Sequence, residues 1–88
     1  MEVKYSVKAL IIFEKIADKP FEVKSITDFT LLAYSCYLAA GNSMTFNEFL
    51  DWIEANPKEY MEMSKSINQQ MELDAQLNEE VKDSSKKK

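Results

Sequence analysis

From residue 29 to residue 40 the chain carries two polar side chains, Thr30 and Ser35, among ten apolar ones. A helix over this segment is apolar around its whole circumference, so it has no face to offer water and is expected at the centre of the fold, enclosed by protein. Ser25-Ile26-Thr27-Asp28 stands just ahead of it, a hydroxyl followed three residues on by an acid. That is a variant of the capping box, which satisfies free N–H groups at a helix start. Gly41, the only glycine, follows the segment and suits the left-handed residue that closes a helix. Upstream, Ala9, Ile12, Phe13 and Ile16 recur at i, i+3, i+4 and i+7, which predicts an amphipathic first helix ended by Asp18-Lys19-Pro20. Val3, Tyr5 and Val7 alternate with Glu2, Lys4 and Ser6, and Phe21 and Val23 lie on either side of Glu22. A period of two allows one or two short strands flanking that first helix.

Thr45-Phe46-Asn47-Glu48 is a full capping-box pattern, and Phe46, Phe49, Leu50 and Ile53 form an apolar stripe behind it, predicting a third helix. Asn56 and Pro57 are placed as cap and first residue of a fourth, since the missing proline N–H needs no partner there. Residues 58–82 contain neither glycine nor proline. Tyr60, Met63, Ile67 and Met71 share one side of that helix, whereas the later apolar positions, Leu73, Leu77 and Val81, are rotated away at about 100° per residue. A single packing partner cannot cover both stripes of a straight helix. The first half is therefore expected to dock on the other helices, while the apolar seam of the second half either pairs with a copy of the chain or a partner, or frays; self-association through that seam is the expectation carried forward. The expected organisation is a mainly α, small bundle of about four helices: a helical core over 1–57, a long C-terminal helix over 58–82 and a disordered Lys-rich tail over 83–88.

Composition narrows the functional classes. A formal charge of −4, with all eleven basic residues lysine, gives no guanidinium fork for phosphate or base edges, so nucleic acid is not an expected partner. The twelve-residue apolar segment 29–40 falls short of the roughly 17–25 residues that span a membrane, so no membrane partner is expected either. The single Cys36 has no second thiol with which to close an intrachain disulfide. The first five residues already mix charge with apolar side chains, and no secretory leader pattern is seen, so the cytoplasm is the expected location. No histidine is present, and a chain with one glycine cannot build a phosphate-cradling loop. The carboxylates Glu48, Asp51 and Glu54, and the adjacent Glu79 and Glu80, lack the Asp/Gly loop spacing of a cation site and are expected as solvated helix faces. No enzymatic activity, cofactor or metal is expected.

What remains suits protein binding. Met61 lies off the core stripe of the fourth helix, and flexible thioethers adapt to varied apolar partners. Leu73 and Leu77 belong to the second stripe, and Trp52 borders the stripe of the third helix, where the alternative to a binding role is core packing. Met61, Leu73, Leu77 and Trp52 are the candidate protein-binding residues.

The run Lys8-Ala9-Leu10 leading to Phe13-Glu14-Lys15, the aromatic Phe21 after the Asp-Lys-Pro turn, and Thr45-Phe46-Asn47-Glu48-Phe49-Leu50-Asp51-Trp52-Ile53 occur in an order that resembles the small tail assembly chaperones of long-tailed bacteriophages. The resemblance covers residues 5–56. It implies a protein that coats and solubilises a tape measure protein, helps recruit tail tube protein and leaves the finished tail, acting in the host cytoplasm during virion morphogenesis. The fourth helix has no counterpart in that pattern, and no contact residue can be carried over. The acidic balance alone supports an alternative, a small regulatory adaptor that binds a basic protein by charge complementarity.

Overall fold

The computed structural model describes the backbone of residues 2–86 and the side chains of residues 2–73. Six consecutive residues of the second helix, 32–37, are all buried. Four helices are seen among the described residues: α1 (Val7–Ala17), α2 (Ile26–Ala39), α3 (Phe46–Ala55) and α4 (Pro57–Lys86). The fold is mainly α, and α2 is enclosed as its apolar circumference requires. Leu32, Ala33 and Cys36 are fully buried, joined by Ala9 and Phe13 from α1, Phe49 from α3, and Met63 and Ile67 from α4. α1 packs on α2, and α4 lies against both α2 and α3. At 1.5 Å per residue the thirty residues of α4 extend about 45 Å, which accounts for most of the 51 Å long axis.

Local chemistry sets the helix ends. Ser25 Oγ accepts from Asp28 N–H at 3.1 Å and Thr45 Oγ1 from Glu48 N–H at 3.2 Å. Glu48 Oε1 reaches back to the Thr45 N–H at 2.9 Å, completing the reciprocal box. Asp18 closes α1 in the left-handed region with φ 56°, and Gly41 follows α2 at φ 97°, its N–H bonded to the Leu38 carbonyl. Beside it, Asn42 Nδ2 donates to the Tyr37 carbonyl and to the Glu2 carbonyl, tying the N-terminal segment to the end of α2. The α2–α3 loop is pinned at one residue: Tyr34 Oη donates to the Met44 carbonyl at 2.6 Å, and Met44 N–H donates to Tyr37 Oη at 3.0 Å. Burial raises the Tyr34 pKa, with the Tyr37 and Glu48 charges adding to it, so the phenol stays a donor.

Three expectations need correction. No strand forms among the described residues. Ser6, read as a strand position, is the N-cap of α1, its Oγ accepting from Ala9 N–H, and Val7 is already helical and 72% exposed. Residues 2–5 and 21–24 keep the alternating burial, with Val3, Tyr5, Phe21 and Val23 turned inward. The first segment bonds to the end of α2 through Lys4 N–H to the Cys36 carbonyl, and Phe21 packs edge-on to Phe13 at 5.3 Å. These are extended arms, because a period of two reports inside and outside but supplies no partner strand. The buried face of α1 is also rotated: Leu10 and Ala17 join Ala9 and Phe13 in the core, while Ile16 is 43% exposed. Finally, Asn56 begins α4 only through its backbone, its carbonyl accepting from Tyr60 N–H at 3.0 Å, while its side chain turns back, Nδ2 donating to the Trp52 carbonyl at the end of α3; Pro57 begins α4 as expected.

The first stripe of α4 faces inward as expected: Met63 and Ile67 are buried, and Tyr60 and Met71 pack against the core. The helical backbone runs to Lys86, four residues into the segment whose composition suggested disorder. The side chains of Leu77 and Val81, and the end of the tail at Lys87 and Lys88, lie outside the described residues.

Asp28 is the one buried carboxylate among the described residues. Its Oδ1 takes 2.8 Å from Lys19 Nζ, and its Oδ2 accepts from Lys24 N–H at 3.0 Å, locking the α1–α2 turn onto the start of α2. The Lys19 hydrogen bond and then the Lys24 N–H hold its pKa below the ordinary 3.8, against the opposing effect of burial.

Two predictions follow from this packing. Leu32→Asp places an unpaired charge where no water reaches, a cost on the order of several kcal/mol against a total stability of about 5–15 kcal/mol. The variant should show an unfolded circular-dichroism spectrum, and Leu38→Asp, at a half-buried position, a milder loss. A native spectrum for Leu32→Asp would refute the enclosure of α2. Asp28→Asn tests the ion pair through pH. Because the folded pKa lies below the unfolded one, the stabilisation is fully present above pH 3.8 and disappears as the pH falls through the lower folded value. The gap in thermal midpoint between wild type and Asp28→Asn should be wide at neutral pH and close in strong acid; a constant gap would exclude the linkage.

Candidate functional site

The described surface carries three kinds of feature that bear on function. The first is exposed apolar side chains. Met61 is 59% and Leu73 58% exposed, as a surface role demands, but they lie twelve residues apart on α4, about 18 Å along its axis and about 120° round it. Trp52 is half-buried and stacked on Phe49, with ring centroids 6.0 Å apart. It is part of the packed shell and also lines a surface cleft. The fourth candidate, Leu77, has a side chain outside the described residues. The structure thus does not gather the candidates into one patch.

Four further apolar side chains are exposed that the sequence reading missed or placed inside: Ile26 at 84%, Val7 at 72%, Ile11 at 48% and Ile16 at 43%. Val7 and Ile11 are neighbours at i, i+4, more than 100° round α1 from Phe13. Their spacing was the available signal. It was overlooked because the stronger stripe through Phe13 accounted for the helix.

The second feature is a cleft of about 360 Å3 between the N-terminal arm and α4. Glu2 and Val3 come from the arm, Trp52 from α3, and Glu59, Glu62, Met63 and Ser66 from α4. A smaller hollow of about 180 Å3 continues on the other side of Val3, along Tyr5, Ser66, Ile67 and Gln70. The arm lies in this groove because Val3 and Tyr5 turn inward and its backbone is tied at Glu2 and Lys4. The exposed lining of the larger cleft is three carboxylates and the Ser66 hydroxyl, and its more buried lining is Val3, Trp52 and Met63.

The third feature is the thiol. Cys36 is fully buried in α2, and desolvation pushes its pKa up to about 12. A thiol in that environment is protonated and inert at neutral pH, behaving as a small apolar filler. Among the described residues no three His, Cys, Asp or Glu side chains are grouped so that they could hold a metal ion, and no helix is long and apolar enough to cross a membrane.

The chain matches no known protein-family model, no curated protein sequence and no solved structure.

Thiol chemistry checks the closure of this core. In native buffer at mildly alkaline pH, Cys36 should react with an aromatic disulfide reagent far more slowly than in denaturant, where one thiol per chain should react at once. Rapid native labelling would show that α2 opens locally.

Proposed function

We propose that this chain is a tail assembly chaperone of a long-tailed bacteriophage, which binds and solubilises the tape measure protein, helps recruit tail tube protein and performs no catalysis. The observation that carries the proposal is the ordered set of residues over 5–56 that resembles that family, from the helix with Lys8-Ala9-Leu10 to the capped helix with Thr45, Phe46 and Glu48. The distribution of exposed apolar side chains supports it. Val7, Ile11 and Ile16 on α1, Ile26 at the start of α2, and Met61 and Leu73 on α4 are exposed, which suits many weak contacts along an extended helical partner.

A chaperone that must later be displaced cannot hold each segment tightly. Several copies, each making a shallow apolar contact, combine coverage with release. Cys36 is too buried for nucleophilic chemistry, in keeping with a role that requires no turnover. The proposed place of action is the host cytoplasm, before the tail is complete.

Co-expression tests the proposal. A tape measure protein encoded beside this chain should move from the insoluble to the soluble fraction and co-purify with it, and Met61→Lys with Leu73→Lys should lower the co-purified amount while leaving the helical spectrum intact. If the partner is equally insoluble with and without the chain, the role is excluded. A basic partner lost steeply with salt would point instead to the acidic adaptor.

A further inference from the structure

The arm–α4 cleft combines two chemistries that one kind of side chain satisfies together. Its exposed lining includes Glu2 and Glu62, and beneath them lie Trp52, Val3 and the buried Met63. A lysine lays its four-carbon stem on apolar and aromatic surface and keeps its ammonium among carboxylates and solvent. The chain itself supplies such lysines in a block: Lys82, Lys86, Lys87 and Lys88 lie in the last seven residues beside a single acid, Asp83. The rest of the chain holds the other fourteen of its fifteen acids. The described backbone of α4 leads away from the chain's own cleft. Ser66 marks the cleft's far edge on α4, and the helix continues unbroken to Lys86, twenty residues and about 30 Å further on.

We propose that the cleft is a docking site for the lysine-rich segment 82–88 of a second copy of this chain. Each copy has one acidic cleft and one basic segment at well-separated places, so the contact is head-to-tail and leaves a cleft open at one end of a pair and a segment free at the other. A contact of this kind propagates into a ring or a row instead of stopping at a dimer. Exposed lysine–carboxylate pairs are weak and screened by salt, so the rows are short-lived and dissolve as ionic strength rises. The proposal does not rest on the chaperone role, and its test uses no tape measure protein.

Trp52, the only tryptophan, reports on the cleft directly. A synthetic peptide of residues 80–88 added to the full chain should change its fluorescence saturably, with affinity falling about tenfold or more between roughly 0.05 M and 0.5 M salt. Glu2→Lys with Glu62→Lys should abolish the response, and a peptide with its lysines replaced by glutamate should give none. In sedimentation velocity, the full chain at low salt should show concentration-dependent growth beyond a dimer. Lys86→Glu, Lys87→Glu and Lys88→Glu together should return it to monomer, and mixing that variant with Glu2→Lys/Glu62→Lys should restore mixed association. The peptide titration uses the unaltered full chain, so it decides the matter even if the substituted variants misfold. Absence of a saturable response overturns the proposal. So does association that survives both salt and tail reversal, which would locate the interface on apolar surface. Peptide binding with a full chain that stays monomeric assigns the cleft to another lysine-bearing protein and excludes the second copy.

Discussion

A helix with no polar face is the constraint on which the rest of this molecule depends. Burying 32–37 on every side takes covering elements from all directions, and a chain of 88 residues has few to give. α1 supplies Ala9 and Phe13, α3 supplies Phe49, α4 supplies Met63 and Ile67, and the remaining gaps are closed by extended arms carrying Val3, Tyr5, Phe21 and Val23. Domains of this size bury only about 60% of their unfolded surface. The covering pieces are therefore thin, and each stays in place only because the others do. The buried side-chain polar atoms find partners nearby: Ser35 Oγ donates to the Leu31 carbonyl, and the two tyrosine hydroxyls bond the carbonyl and the N–H of Met44. Among the described residues no buried side-chain nitrogen or oxygen lacks a partner. Centring the fold on an apolar helix thus fixes the loop after it as well, through the ends of Tyr34 and Tyr37.

Features written in neighbouring residues were legible in the sequence. Both hydroxyl caps, the left-handed Gly41 and the Pro57 start of α4 depend on three or four residues each, and the structure has them where the patterns lie. Features that depend on distant parts of the chain were not. The α1 stripe could be extended from Ala9 and Phe13 either by Ile12 and Ile16 or by Leu10 and Ala17, solutions about 60° apart round the helix. Hydrophobicity favours the isoleucines. The fold uses Leu10 and the small Ala17 and leaves Ile16 outside. The arms show the same limit: alternation correctly identified which side chains turn inward, but whether a neighbouring strand exists to pair with them is a tertiary fact.

The candidate surface was legible in the sequence only as a scatter of separate residues. Met61 and Leu73 are exposed because they lie off the stripe that Tyr60, Met63, Ile67 and Met71 define, a purely periodic inference. The cleft was not foreseeable. It brings together Glu2, Trp52 and Glu62 across sixty residues of sequence, and it exists only because the N-terminal arm lies along α4 and not in a sheet. Tyr34 and Tyr37, counted as apolar when α2 was read, hid the two hydroxyls that hold the α2–α3 loop.

The division of apolar and charged surface bears on how such a small protein can act on a larger one. Nearly half of the residues are hydrophobic, more than a chain of this length can bury, so some apolar surface is unavoidable. What varies is its arrangement. Gathered into one patch it would make a single strong interface and a solubility hazard. Here Val7, Ile11, Ile26, Met61 and Leu73 are distributed over α1, the start of α2 and widely spaced turns of α4. Each contact on its own is weak, and strength requires either an extended partner that meets several at once or several copies acting together. The proposed contact between the acidic cleft of one copy and the lysine-rich segment of another would bring copies together electrostatically without enlarging any apolar patch. In the proposed assembly, charge draws copies together while hydrophobic contact holds a partner, and changing ionic strength loosens the first without removing the second.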